Sequence, residues 1–191
     1  MKRILAIIVL NLFFIIPSQA DDIKDFEIEG MSLGDSVLDH LNEKDFLQFK
    51  LLKNFKDNTY SARETRNKKL LKVYDSLQIN YLSNDKKYKI YGLSGLINFK
   101  NDHKECMLKQ KEVVNELQLL FPQSKLMGPR KKNFQKGHSQ GYWEGYAFKL
   151  VKGDLAIITC YNYKKKDMID HLRISIRYKA YNDFLNNRAY K

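Results

Sequence analysis

Tyr142-Trp143-Glu144-Gly145-Tyr146-Ala147-Phe148-Lys149-Leu150-Val151, a Gly153-Asp154 turn, Leu155-Ala156-Ile157-Ile158-Thr159-Cys160-Tyr161-Asn162-Tyr163 and, after a Lys-rich interval, His171-Leu172-Arg173-Ile174-Ser175-Ile176-Arg177-Tyr178-Lys179 read as three consecutive strands. The last alternates at all nine positions. Leu172, Ile174, Ile176 and Tyr178 fall on one face, and Arg173, Arg177 and Lys179 on the other. Connections this short between strands make an antiparallel meander.

Upstream lies a segment of helical period. Asp102 caps a helix predicted over His103 to Leu120, in which Cys106, Val113, Leu117 and Leu120 form one stripe, and Pro122 stops it. Before it the period is two. Leu77, Ile79 and Tyr81 alternate with polar residues, Ser83-Asn84-Asp85-Lys86 supplies the turn, and Tyr88 to Phe99 returns, so this region is a hairpin. Gly92 and Gly95 inside the return strand mark a bulge or a close packing contact. Further out the expectations are coarser: a short strand and turn at Phe26 to Ser36, a helical stretch over residues 43–55, and a polar surface connection over 56–69. A long glycine-containing loop is expected over 123–141, and a short closing helix from Ala180 to Tyr190. The sum is a single α+β domain, with a sheet of about five antiparallel strands, the 103–120 helix across one face and short terminal helices.

The chain opens with Lys2 and Arg3, an apolar run from Ile4 to Ile16, and Pro17-Ser18-Gln19-Ala20. This order predicts a cleavable secretory signal over residues 1–20 and an exported domain over 21–191. The apolar run is too short to cross a bilayer. Without Lys2 and Arg3, 32 basic residues face 22 acidic ones, a net charge of +10. Such a balance favours polyanion partners, either nucleic acid or an anionic envelope surface. Export disfavours nucleic acid, and 27 Lys against 7 Arg, beside 15 Asn, suits AT-rich codons as well as it suits a function. Cys106 and Cys160 are the only cysteines. In an exported chain they are expected to be bonded, pinning the long helix across the middle strand of the meander, with free buried thiols as the alternative.

Local signatures of hydrolases, nucleotide-binding proteins and metalloenzymes are absent from the sequence. His40, His103, His138 and His171 fall in different segments, and the acidic group Asp21, Asp22, Asp25, Glu27 and Glu29 is explained by solvation. No catalytic residue, metal or cofactor is therefore expected. Two candidate surfaces remain. The acid-free basic segment holding Lys125, Arg130, Lys131, Lys132 and Lys136 is expected to be a mobile loop suited to an anionic surface. The aromatic group Tyr142, Trp143 and Tyr146 is a candidate ligand contact, with a sheet core as the simpler account.

Ile28-Glu29-Gly30-Met31-Ser32-Leu33-Gly34-Asp35-Ser36-Val37-Leu38 resembles the opening of an uncharacterised family of small exported proteins from AT-rich marine bacteria. Gly30-Met31-Ser32 with Gly34 is also similar to the start of SmpA/OmlA-type envelope domains, small α+β modules that serve as binding partners. The lipoprotein cysteine of those domains is missing here. The first family brings no known activity and no known site. Export, a single packed domain and the lack of a catalytic signature lead to the expectation of a soluble periplasmic or secreted binding or accessory protein, with an anionic envelope surface or a periplasmic protein as its candidate partner. An envelope-directed hydrolase with a site assembled from dispersed residues is the alternative.

Overall fold

The computed structural model describes residues 22–53, 55–100, 102–134, 140–164 and 168–191. The expected signal segment 1–20, the start near Asp21, and Lys136 and His138 lie outside the described residues. The strands are β1 (Lys50–Leu52), β2 (Tyr60–Thr65), β3 (Ser76–Leu82), β4 (Ile90–Asn98), β5 (Lys125–Asn133), β6 (Gly141–Lys149), β7 (Leu155–Tyr163) and β8 (His171–Arg177). They form one antiparallel sheet in the order β1-β2-β3-β4-β8-β7-β6-β5. Each half of the chain is a four-stranded meander, and the halves join where β4 pairs with β8, Ser94 opposite Ser175. The helices are α1 (Glu43–Leu47), α2 (His103–Leu120) and α3 (Lys179–Asn187).

The five-stranded α+β plan is thereby overturned. The sheet has eight strands and the fold is mostly β, with α2 one cover among several. The hairpin, the meander and the 103–120 helix lie where their periodicity places them, but three further strands do not follow from it. β1 takes over part of the expected 43–55 helix, which ends at Leu47. β2 falls in the expected connection because Ser61, Arg63 and Glu64 put polar residues on both of its faces. Its Arg63 is held by hydrogen bonds of 2.8 Å each to the Leu47 and Phe49 carbonyls. β5 replaces most of the expected basic loop. It is an exposed edge strand, and its register with β6 shifts between Met127 and Arg130 around Pro129, a residue that sheets tolerate at such edges.

One face of the sheet carries the main core. Leu77, Ile79, Leu93, Ile158, Leu172 and Ile176 point there, covered by α2 and by the N-terminal segment with Ile23, Ile28, Leu33 and Phe46. Two devices fix α2 to the strands. Cys106 and Cys160 are bonded, with both side chains fully buried. Gln110, equally buried, donates from Nε2 to the Glu144 and Ile158 carbonyls at 2.8 and 3.2 Å.

Among the described residues, a helix covers the second face only at one end. There α3 brings Tyr181 and Phe184 onto Tyr60. Gly92 makes this docking possible, since a Cβ on it would lie 2.6 Å from the Tyr181 ring. The Tyr181 hydroxyl donates to Asn80 Oδ1 at 2.8 Å. Gly92→Ala must therefore displace a buried ring and strain that hydrogen bond. Urea unfolding is expected to show a loss of about 1–3 kcal/mol; unchanged stability would mean that α3 docks in some other way.

Candidate functional site

Away from α3 the second face is open, and its floor is polar. The registers β3–β4 and β4–β8 line up Asn80 with Gly92 and Arg177, Gln78 with Ser94 and Ser175, and Ser76 with Leu96 and Arg173. β7 adds Ile157, Thr159 and Tyr161 beside Ser175, Arg173 and His171. Gln78, Asn80, Ser94, Ser175 and Thr159 are all buried. Several are satisfied within the floor: Ser94 and Ser175 share a 2.8 Å hydroxyl contact, and Asn80 Nδ2 donates to the Gly92 carbonyl at 3.2 Å. An apolar floor under a second helical layer would stabilise the sheet more cheaply than this one, because buried polar groups gain little net free energy even when paired. Composition makes the same point. The chain has 27 Lys, yet none lies in β3, β4, β7 or β8, where an ordinary solvated face would carry them.

Arg173 and Arg177 stand in the middle of this face. Both line one cleft of about 230 Å³, with Glu64, Gln78, Asn80 and Ser94. Among the described residues, neither guanidinium has a carboxylate within ion-pair distance. Arg173 Nε is inaccessible and has no hydrogen-bond partner, and its guanidinium lies 5.9 Å from the Tyr161 ring. Burial, reinforced by Arg173 against an opposing effect of Tyr181, pulls the Arg177 pKa below its ordinary value. Glu64, which lines the same cleft, is bound to Arg66 at 2.8 Å.

Towards the end away from α3 the face becomes aromatic. Tyr161 stacks on His171 at 4.7 Å and Phe134 on Tyr163 at 5.1 Å, in near-parallel planes. His171 Nδ1 contacts the Ile169 carbonyl at 3.1 Å, and its Nε2 is buried without a partner. Burial lowers the His171 pKa to about 4, so the ring is neutral at physiological pH. His171 and Ser76, whose hydroxyl is likewise unpartnered, line a second hollow of about 220 Å³ with Asp75 and Tyr163. Asp75 is committed elsewhere: it accepts from the Asn98 amide at 2.8 Å and pairs with Lys68.

The expected site residues are divided between the two faces. Trp143 and Arg130 border a third hollow of about 380 Å³ that Arg177 also lines, so these two reach the open face, whereas Tyr146 lies opposite the buried Ile158 and packs against the main core. Tyr142 turns to the other side, where the His103 ring meets it edge-on at 5.2 Å and Lys131 Nζ lies 3.8 Å from its centroid. Lys131 also approaches Glu144 at 3.9 Å. Lys125, Arg130 and Lys132 are exposed on the edge strand β5 rather than on a loop, because pairing with β6 gives their backbone a partner. The N-terminal acids are structural. Asp22 caps the first turn and pairs with Lys152 at 2.8 Å, while Glu29 accepts the amides of Lys72, Val73 and Tyr74 at 2.8–3.0 Å. Desolvation opposes its ionisation, but those amides together hold the Glu29 carboxyl below its usual range. Among the described residues no group of three or more His, Cys, Asp or Glu is placed to hold a metal ion, and no helix is long and apolar enough to cross a membrane.

Comparison with known proteins adds little. No family model matches the chain, and no curated protein matches it. Among solved structures it is similar to the Saccharomyces cerevisiae Ran-binding protein Mog1p, at 11% identity over 75% of this chain and 86% of that one, with a TM-score of 0.32. That likeness is too distant to bear on the site.

Proposed function

We propose that the chain is an exported binding or accessory module whose ligand surface is the open face of the sheet. The observation that carries this reading is the buried polar floor of Gln78, Asn80, Ser94, Ser175 and Thr159 beneath two guanidiniums that have no acidic partner among the described residues. Export is supported by the order of charge, apolar run and small residues over 1–20, and by a disulfide of the kind that persists in oxidising compartments. On this proposal the cations of β5 and the net charge of +10 draw the module towards an anionic envelope surface, while the cleft selects what is held. Amide chemical shifts of the 21–191 protein, titrated with neutral sugars, sugar acids, sugar phosphates and amino acids, test it. Changes confined to β3, β4, β7 and β8 are expected for at least one class; changes on α2 alone, or none, would refute the assignment.

A second reading, an envelope-directed hydrolase, is favoured by one observation. A neutral His171 and a hydroxyl on Ser76, both with unpartnered buried atoms, line the same hollow. Hydrolysis of p-nitrophenyl acetate that disappears in both Ser76→Ala and His171→Phe would favour it over binding alone.

A further inference from the structure

The two arginines allow the ligand to be narrowed. They are four residues apart on one face of β8, so their Cα atoms are separated by about 13 Å along the strand. Their side chains nonetheless line the same cleft. Two like charges directed into one half-buried space repel each other and lose hydration, and an uncompensated buried charge is costly. Three other arginines are engaged locally: Arg63 donates to two carbonyls, Arg66 binds Glu64, and Arg188 binds Asp57 at 2.7 Å. Arg173 and Arg177 are treated differently, and the Nε of Arg173 is left as a buried donor.

From this geometry we infer that the cleft between Arg173 and Arg177 binds a small hydroxylated organic oxyanion, a sugar acid or sugar phosphate of about one ring, with its acidic group held by the guanidiniums. This rests on the open face being the ligand surface and adds the chemistry of the ligand. Guanidinium forks match the oxygens of carboxylate and phosphate, whichever of the two the ligand carries. The neutral part of the ligand meets the carboxamide of Gln78, which can donate and accept and so suits sugar hydroxyls, beside Asn80 and Ser94, whose polar atoms are already engaged in the floor. A volume of about 230 Å³ falls below the roughly 300 Å³ at which sites for drug-sized molecules begin, which restricts the ligand to a compact one. The rings of Phe55 and Tyr190, which line the same cleft, supply flat apolar edges.

Calorimetric titration of the disulfide-bonded 21–191 protein with glucose 6-phosphate, glucuronate, inorganic phosphate and glucose is the test. At least one of the two charged sugars should bind at least tenfold more tightly than glucose. Arg173→Gln and Arg177→Gln should each weaken that binding by at least tenfold, as expected for the loss of a charge-assisted hydrogen bond. Neither variant removes a partnered ion pair, so both should fold, and their thermal transitions check this directly. Glucose binding as tightly as the charged sugars, with shifts on β4 and β8, would overturn the oxyanion inference and leave the ligand face standing. Anion binding indifferent to both substitutions but abolished by salt would reduce the effect to net charge and overturn it as well. If no member of the panel binds at millimolar concentration, the oxyanion inference is refuted; the face itself then stands or falls on the wider amide-shift survey.

Discussion

Replacing both Cys106 and Cys160 by Ala is expected to lower the unfolding free energy by about 4 kcal/mol. The bond joins residues 54 apart in sequence, and closing a loop of that length in the unfolded chain costs about this much on the chain-entropy account. The bond also joins two layers of the fold. It fastens the first turn of α2 to β7, and its sulfurs are fully buried among Ile158, Leu172 and their neighbours. The helix should stay in place without it, since Gln110 still bonds two strand carbonyls and Val113 and Leu117 remain in the core. The expected result is thus an intact but weaker fold, melting roughly 10 °C lower for a domain of this size. Urea denaturation of the oxidised protein and the double variant, followed by circular dichroism, measures the difference. Equal midpoints would mean that the bond adds nothing to the constraint already imposed by α2 packing.

Acidification should act first through His171. Its ring is buried between Tyr161 and Tyr163, near Arg173, Arg66 and Asp170, and its pKa falls from 6.5 to about 4, chiefly through desolvation. The folded state therefore holds the neutral ring, while the unfolded chain takes up a proton near pH 6.5. The contribution of that ring is fully present above about pH 6.5 and is lost progressively as pH falls towards 4. A depression of this size corresponds to about 3 kcal/mol across the window. His171→Phe keeps a flat ring in the stack but cannot take up the proton. The stability difference between wild type and this variant should be flat above pH 7 and shift in favour of the variant as pH falls from 6.5 to 4. A difference independent of pH would show that His171 is solvated and titrates normally. Glu29, held below its ordinary value, begins to lose its contribution near 4.5 and completes the loss at lower pH, so it overlaps only the acid end of the His171 window.

The parts of the fold that could be read from sequence are those with a strong, unbroken period. β8 alternates Leu172, Ile174 and Ile176 with polar residues, and α2 carries Cys106, Val113 and Leu117 on one stripe, so strand, helix and bond follow from pattern. β2 and β5 did not show because their polar residues are accommodated by tertiary partners or by an edge position, neither of which has a local signature. Arg63 looks like a surface residue until the Leu47 and Phe49 carbonyls fold over to receive it. The ligand face was hidden for a related reason. In sequence, Arg173 and Arg177 are the solvated side of an alternating strand; they become a cleft only because α3 closes one end and β1 and β2 extend the sheet past Gln78. One signal was available all the same. A chain so rich in Lys places Ser, Thr, Gln, Asn and Arg, and no Lys, at the outward positions of β3, β4, β7 and β8.

The most direct test is the set of arginine Nε–Hε resonances of the 21–191 protein, recorded with and without glucose 6-phosphate or glucuronate. Because Arg173 Nε is buried, its proton should exchange slowly even in the free protein. The predicted result is that the Arg173 and Arg177 resonances move on titration, while those of Arg63 and Arg188, whose Nε groups already donate to the Tyr81 hydroxyl and to Asp57, stay fixed. Shifts spread over all the arginines, or confined to Arg130 on the edge strand, would contradict a ligand site on the open face of the sheet.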